Sequence, residues 1–341
     1  GGLVDVLEAR GMKVFGPRKN AAILEGSKAF SKDLMKKYHI PTAKYEVFDD
    51  PNRAIEYIRS ENTYPTVIKA DGLALGKGVI IAEDFAQAEQ AVRSMMEDKI
   101  FGESGSHIVI EEFLTGPEVS VLAFTDSKTV KPMISSKDHK RVYDNDKGLN
   151  TGGMGTIAPN PYYTDEIAEI CMKEIFLPTI HAMVTEGRPF KGCLYFGLMI
   201  TPNGPKVIEY NCRFGDPETQ VVLPLLKTDL MEIFLAVSEE RLSELDIQWD
   251  KGAAACVVMA SGGYPQKYQT GLPISGLDEN GQCGQATVYH AGTKKEDCTY
   301  LTAGGRVLGV TAVGENLEKA LSSAYDAVKQ ISFDGCHYRT D

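Results

Sequence analysis

Positive charge is scarce in this sequence: 36 Lys and Arg stand against 47 Asp and Glu, a net charge of −11 at neutral pH. An acidic surface repels nucleic-acid backbones and anionic membranes, so neither is expected as a partner. Anionic substrates would bind only where local lysines and arginines overturn the global sign. Long apolar runs are missing as well. The segment 255–260 is strand length, far short of the roughly 20 residues of a membrane span. Cysteine supplies no framework. The seven cysteines (171, 193, 212, 256, 283, 298 and 336) are odd in number and scattered, with no C-x-x-C and no His at zinc-finger spacing. They read as reduced thiols, and the expected location is cytoplasmic. No signal peptide, internal repeat or low-complexity tract is visible, and the chain opens Gly1-Gly2-Leu3 without a Met.

What is present is an ordinary folding composition, 43% hydrophobic and 24% charged over 341 residues, which suggests two or three domains. Residues 3–15 read as a short amphipathic helix, a glycine stop at Gly11 and a strand-like 13–15. With Gly16-Pro17 they look like the closing piece of a βα unit. From 25 to about 110 helices and strands alternate. Asp50-Pro51 and Asp84 cap helices, and 65–69, 78–82, 107–113, 119–124 and 130–135 read as strands. The polar, glycine-rich stretch 137–155 has almost no apolar content, and loops of that length are usually functional or disordered. Strands 194–201 and 206–211 flank Pro202-Asn203-Gly204, a hairpin signal. Asp216-Pro217 opens a helix, and 230–242 is another. A composition shift near 246–252 marks a boundary. Strands 253–260, 286–291 and 305–313 and a last helix follow, a compact α+β module.

Four constellations carry chemistry. Lys69-Ala-Asp-Gly72-Leu-Ala-Leu-Gly76-Lys77-Gly78 interrupts two apolar strands with glycines and lysines, a device suited to a polyphosphate. It is not a P-loop, because Asp71 and Gly78 stand where that pattern needs Gly and Ser or Thr. By itself it could equally be a glycine-rich surface turn. Glu111-Glu112-Phe113-Leu114-Thr-Gly116-Pro-Glu118 ends a strand at a short linker whose free backbone groups can read a purine edge, with Glu118 placed for a ribose diol. In isolation an acidic strand end in solvent is the simpler reading. In Glu209-Tyr-Asn211-Cys-Arg213-Phe-Gly-Asp216, strand periodicity puts Glu209, Asn211 and Arg213 on one face, opposite Val207. A carboxylate and an amide oxygen are hard ligands suited to Mg²⁺ rather than zinc, and Arg213 could neutralise a transferring phosphoryl group. A polar outer face of an edge strand is the competing reading. Asp138-His139-Lys140-Arg141 with Asn150-Thr-Gly152-Gly153 could cradle an anion, although a charge run is more often a solvated face. Among the histidines only His139 stands out. His39, His107, His181, His290 and His337 have no partners at ligand spacing.

In this order, Lys28 in Glu25-Gly26-Ser27-Lys28, Lys69 before the glycine-rich loop, the Glu-Glu-Phe-Leu linker and Glu209-x-Asn211-x-Arg213 resemble the ATP-grasp layout. Over residues 2–339, and most specifically at Asn211-Cys-Arg-Phe-Gly-Asp-Pro-Glu218, the chain resembles the glycinamide ribonucleotide synthetase family. That resemblance implies an α/β and α+β architecture: an ATP-grasp fold of two α+β subdomains clasping ATP, then a small C-terminal α+β domain. The expected divisions are 1–17, the remnant of an N-terminal domain; 18–245, the ATP-grasp domain with its lid subdomain at about 40–110; and 246–341. The family begins with a domain before residue 1 and runs slightly past Arg339, so most of that first domain is expected to be absent here and the ligase activity of this chain to suffer.

The implied activity joins glycine to 5-phosphoribosylamine through a glycyl phosphate, an early step of purine synthesis. The implied cofactors are ATP as co-substrate and Mg²⁺ or Mn²⁺. By resemblance Lys28 and Lys69 hold the α/β-phosphates while Gly76, Lys77 and Gly78 close over them. Glu111, Glu112, Phe113 and Leu114 frame adenine, Glu118 takes the ribose, and Arg141 and Asn150 reach the nucleotide. Glu209 and Asn211 bind the metal. Arg213, Lys77 and Asp216 are the implied catalytic residues, and Asp216 and Arg306 contact glycine or the sugar phosphate. A monomer or homodimer is expected. Two alternatives stand beside this reading: another ATP-grasp carboxylate–amine ligase, and a fragment that binds ATP without turnover. A kinase-like phosphotransferase is disfavoured because neither His-Arg-Asp nor Asp-Phe-Gly occurs.

Overall fold

The computed structural model describes residues 2–73 and 78–341. Contacts divide the chain into two compact units, one of residues 1–132, 162–213 and 231–245, the other of 133–161, 214–230 and 246–341. Gly76 and Lys77 lie outside the described residues.

The first unit is built on two four-stranded antiparallel sheets. In one the strand order is Tyr45–Phe48, Ile108–Glu112, Thr66–Ala70, Val79–Ala82. Helices Pro51–Glu61 and Phe85–Met96 cover it. Each starts where the sequence says it should. Asp50 accepts the N–H groups of Asn52 and Arg53 ahead of Pro51, and Asp84 accepts that of Gln87. Ala54, Ile55 and Ile58 from one helix and Ala88, Val92 and Met95 from the other bury against Ile68, Ile108 and Ile110. The second sheet runs Gly204–Asn211, Lys191–Thr201, Glu118–Asp126, Val130–Pro132. Its buried face (Val119, Val121, Leu194, Phe196, Val207, Tyr210) packs with Leu34 and Met35 of helix Lys28–Lys37 and with Phe176, Ile180 and Met183. The Asn203-Gly204 turn closes the Lys191–Thr201/Gly204–Asn211 hairpin as its signal predicts.

The second unit holds one five-stranded antiparallel sheet, ordered Thr287–His290, Arg306–Gly314, Ala253–Ala260, Gly155–Ala158, Lys137–Asp138. Helix Leu317–Val328 lays Ala320, Ala324 and Val328 on it.

Three local expectations change. Residues 13–15 form no strand, and the opening helix is only Leu3–Glu8. The polar stretch 137–155 is no simple loop: it contributes the edge strand Lys137–Asp138 and the start of its neighbour Gly155–Ala158 in the five-stranded sheet, and between them a hairpin, Arg141–Tyr143 with Lys147–Asn150. Polar strands pair through their backbones, so hydropathy does not reveal them. The helix after Asp216-Pro217 starts only at Thr219 and is one turn long, Thr219–Val222.

Candidate active site

Helix Lys28–Lys37 begins after Ser27, whose hydroxyl accepts the Phe30 N–H at 3.0 Å. Asp71 ties that start to the glycine-rich loop. Its Oδ1 accepts from Ser27 Oγ at 3.0 Å and from the Ala29 N–H at 2.7 Å, while the Lys28 N–H donates to the Asp71 carbonyl. Lys28 Nζ in turn donates to the Gly72 carbonyl at 3.1 Å. Burial pushes the Lys28 ammonium below its ordinary pKa. The Glu209 carboxylate opposes that shift, Lys69 adds to it, and Asp71 and Glu111 oppose it. The two lysines, the two strand carboxylates and the loop aspartate therefore share one electrostatic neighbourhood.

One turn further along the helix, Lys32 is 2% exposed and places Nζ 3.0 Å from Glu111 Oε2. Lys69, 5% exposed, places its own Nζ 3.0 Å from the same oxygen and donates to the Ile208 carbonyl at 3.3 Å. Lys32 also donates to Thr42 Oγ1 at 2.8 Å, and that hydroxyl donates to the Val207 carbonyl at 2.7 Å. Glu111 Oε2 is thus shared by two lysines, while the Glu111 backbone lies in the ladder between Tyr45 and Val67. Lys32 has no role in the sequence reading. Its only signal is its i, i+4 spacing from Lys28, which puts both on one helix face.

The strand carrying Glu111 stops at Glu112, so Phe113 and Leu114 lie outside its ladder. Glu112 Oε1 accepts from the Lys44 N–H at 2.9 Å and Lys206 Nζ at 3.1 Å. Desolvation alone would raise its pKa, but these donors hold it below the usual carboxylate range. Gly116 turns the chain at φ +142°, where any Cβ would collide with the Ile200 carbonyl, and Glu118 then begins the next strand.

Strict alternation would put Val207 and Glu209 on the same face. A bulge prevents it: Gly197 pairs with Glu209 and Leu198 with Val207, so Ile208 is the extra residue. Val207 and Tyr210 then both enter the core, and Glu209 and Asn211 occupy the opposite face. One carboxylate and one amide oxygen form a donor set that fits a hard divalent cation completed by phosphates and water. Among the described residues no group of three or more His, Cys, Asp or Glu forms a metal cage. Arg213 is exposed. It lies 3.4 Å from Glu25 Oε1 and donates to Asn211 Oδ1 at 3.4 Å. Glu25 Oε2 also accepts the Cys212 N–H at 2.8 Å, a strand-end support to which the sequence reading gave no role.

The remaining candidates belong to the second unit. Arg141 and Asn150 face each other across their hairpin, and Arg141 donates to the Gly148 carbonyl at 2.7 Å. His139 is a packing residue, its Nδ1 3.1 Å from the Gly155 carbonyl and its pKa lowered chiefly by burial. Arg306 donates to the carbonyls of Gly152 (2.8 Å) and Asp216 (3.0 Å) and sits 3.4 Å from Asp216 Oδ1. A cavity opens beside them, lined also by Gln220, Tyr289, His290 and Leu308. His290, unpartnered by sequence spacing, is in fact held at both ring nitrogens by Thr293 and the Gly281 carbonyl. Gly153 (φ +117°) lets this loop pass Pro217 and Asp138, where a Cβ would be 2.5 and 2.7 Å away.

Comparison with known proteins matches two family models. Residues 26–219 fit the phosphoribosylglycinamide synthetase ATP-grasp (A) domain, and residues 254–341 its C domain. A phosphoribosylamine–glycine ligase from Clostridium acetobutylicum is 49% identical over 340 residues, covering 100% of this chain and 80% of the relative. The crystal structure of phosphoribosylamine–glycine ligase from Thermotoga maritima superposes with a TM-score of 0.85 at 35% identity, over 96% of this chain and 81% of that one. The biotin carboxylase domain of Hydrogenobacter thermophilus 2-oxoglutarate carboxylase, solved with MgADP, shares the fold at a TM-score of 0.74 and 16% identity, covering 97% and 71%.

Proposed function

The chain belongs to the phosphoribosylglycinamide synthetase family, ATP-dependent ligases of purine biosynthesis with the ATP-grasp fold, and we propose that it joins glycine to 5-phosphoribosylamine through glycyl phosphate. A glycine carboxylate oxygen attacks the γ-phosphorus of ATP and ADP leaves. The amine of phosphoribosylamine then attacks the acyl carbon, phosphate leaves with the transferred oxygen, and a proton is released to give glycinamide ribonucleotide.

The observation that carries this reading is the grouping of Lys28, Lys69 and Glu209 around one partly buried cluster in an acidic protein. Lys28 and Lys69 would take the α/β-phosphates, and Gly76, Lys77 and Gly78 would close over them at the edge of the lid subdomain at about 40–110. The backbone from Glu111 to Leu114 would read adenine, and Glu118 the ribose. Glu209 and Asn211 would hold Mg²⁺ or Mn²⁺, which when bound neutralises phosphate charge. Arg213, exposed at the strand exit, would steady the transferring phosphoryl group. On the second unit, Arg141 and Asn150 would contact the nucleotide, and Asp216 and Arg306 the acceptor substrates. The seven cysteines are all free thiols, which fits a cytoplasmic setting. Among the described residues no helix is long and apolar enough to cross a membrane.

Phosphate release from ATP with glycine and phosphoribosylamine, set against a panel of other carboxylates and amines, tests the substrate assignment. Turnover confined to glycine and phosphoribosylamine supports it. Preference for another pair would make the chain a different carboxylate–amine ligase.

A further inference from the structure

Lys32 is buried, yet it competes directly with Lys69 for one oxygen of Glu111. A Lys69–Glu111 pair alone would be neutral, with the ammonium held by its carboxylate. Two ammoniums on one carboxylate leave the trio a net positive charge, and each contact to the shared oxygen is weakened by the other. The trio is also anchored where the metal-side strand bulges. Lys69 reaches the Ile208 carbonyl and Lys32 reaches the Val207 carbonyl through Thr42.

We propose that Lys32 is a positioning residue for nucleotide binding: by sharing Glu111 Oε2 it loosens the hold of that carboxylate on the Lys69 ammonium, which leaves Lys69 available to the phosphates of a nucleoside triphosphate. The inference rests on the reading of Lys69 as a phosphate ligand. The groups facing Lys32 are Glu111 and Glu112 from one strand, Lys69 from the next, Thr42, and the Tyr45 ring 5.9 Å away. Burial, opposed by Glu111, brings the Lys32 pKa down to about 8. Above that value the trio loses its net charge, so nucleotide affinity should fall as the pH rises through it.

The test is calorimetric titration of MgATP between pH 7 and 9 on the parent protein, Lys32→Met and Lys69→Met. In Lys32→Met the new side chain keeps the packing volume, Glu111 retains Lys69, and Thr42 still donates to Val207, so few polar groups are left unmet. Expected are about tenfold weaker MgATP binding at pH 7 in Lys32→Met, with kcat at saturating ATP changed far less. The alkaline loss of affinity seen in the parent should be absent from that variant. Lys32→Met binding MgATP as the parent does, with the same pH profile, would overturn the proposal. So would a parent affinity independent of pH across this range, a readout that needs no variant. If Lys69→Met binds MgATP normally, the phosphate-ligand reading is what fails, and the Lys32 inference falls with it.

Discussion

Glu209 offers the sharpest residue-scale prediction, because its proposed role at the metal depends on a face that the bulge at Ile208 provides. Glu209→Ala removes the one carboxylate of the two-residue donor set while leaving Val207 and Tyr210 in the core. Turnover should fall by about a hundredfold or more, with circular dichroism and melting temperature unchanged and activity partly restored at high Mg²⁺. Parent-like activity at low Mg²⁺ would remove Glu209 from the metal site. The residues at this site differ in how legible they were. Lys28, Lys69 and Glu209 each stand in a short motif that is ambiguous alone and suggests a chemistry only when the motifs are taken together in order. The pairing of Lys32 with Glu111 does not, because it joins a helix to a strand far away in sequence and neither residue lies in a motif that names the other. A buried lysine on an amphipathic helix looks like any other polar position until the strand beneath it is known.

Two elements are held in place by contacts that can be cut singly. Asp71 fixes the first turn of helix Lys28–Lys37 through Ser27 and Ala29. Asp71→Ala should free that turn and with it Lys28, weakening MgATP binding by about three- to tenfold while leaving the rest of the helix protected from amide exchange. In the second unit, the hairpin Arg141–Tyr143/Lys147–Asn150 is clasped by residues 337–341. Arg339, itself buried, donates to Asp146 Oδ1 at 2.8 Å and to the Arg141 carbonyl at 3.2 Å, and the Asn145 N–H donates to Asp341. Arg339→Ala should destabilise this unit by about 2 kcal/mol and raise amide exchange across 141–150. The Arg339 guanidinium holds the Asp341 carboxyl well below the usual carboxylate range. A depressed carboxylate contributes stability above the unfolded value of about 3.9 and loses it only as the pH falls through the lower folded value. Hairpin protection should therefore persist down to about pH 4 and fade only in stronger acid. This hairpin escaped the sequence reading because its strands are only three and four residues long and bury a single apolar side chain, Val142, whereas the capped helices at Asp50 and Asp84 were plain from cap residue and apolar period together.

At the scale of the whole chain, what a linear reading could not supply is interleaving. The segment 133–161 joins the five-stranded sheet through Gly155–Ala158 against Ala253–Ala260, a pairing that no local pattern announces. The proposed phosphate, adenine and metal ligands Lys28, Lys69, Glu111 to Leu114, Glu118, Glu209 and Asn211 fall in the first unit, and Asp216 and Arg306 in the second. Substitutions should divide accordingly. Lys69→Met should weaken MgATP binding in calorimetry. Arg306→Ala, which frees the carbonyls of Gly152 and Asp216 beside the cavity, should instead raise the KM for glycine or phosphoribosylamine about tenfold and leave MgATP affinity within error. The central claim is that ATP activates the glycine carboxylate. The direct measurement uses glycine labelled with ¹⁸O in both carboxylate oxygens, with mass spectrometry of the phosphate released in a complete reaction. A glycyl phosphate route predicts one ¹⁸O in each phosphate and one retained in the amide of the product. Unlabelled phosphate, with one label retained in the amide and the other lost to water, would contradict it.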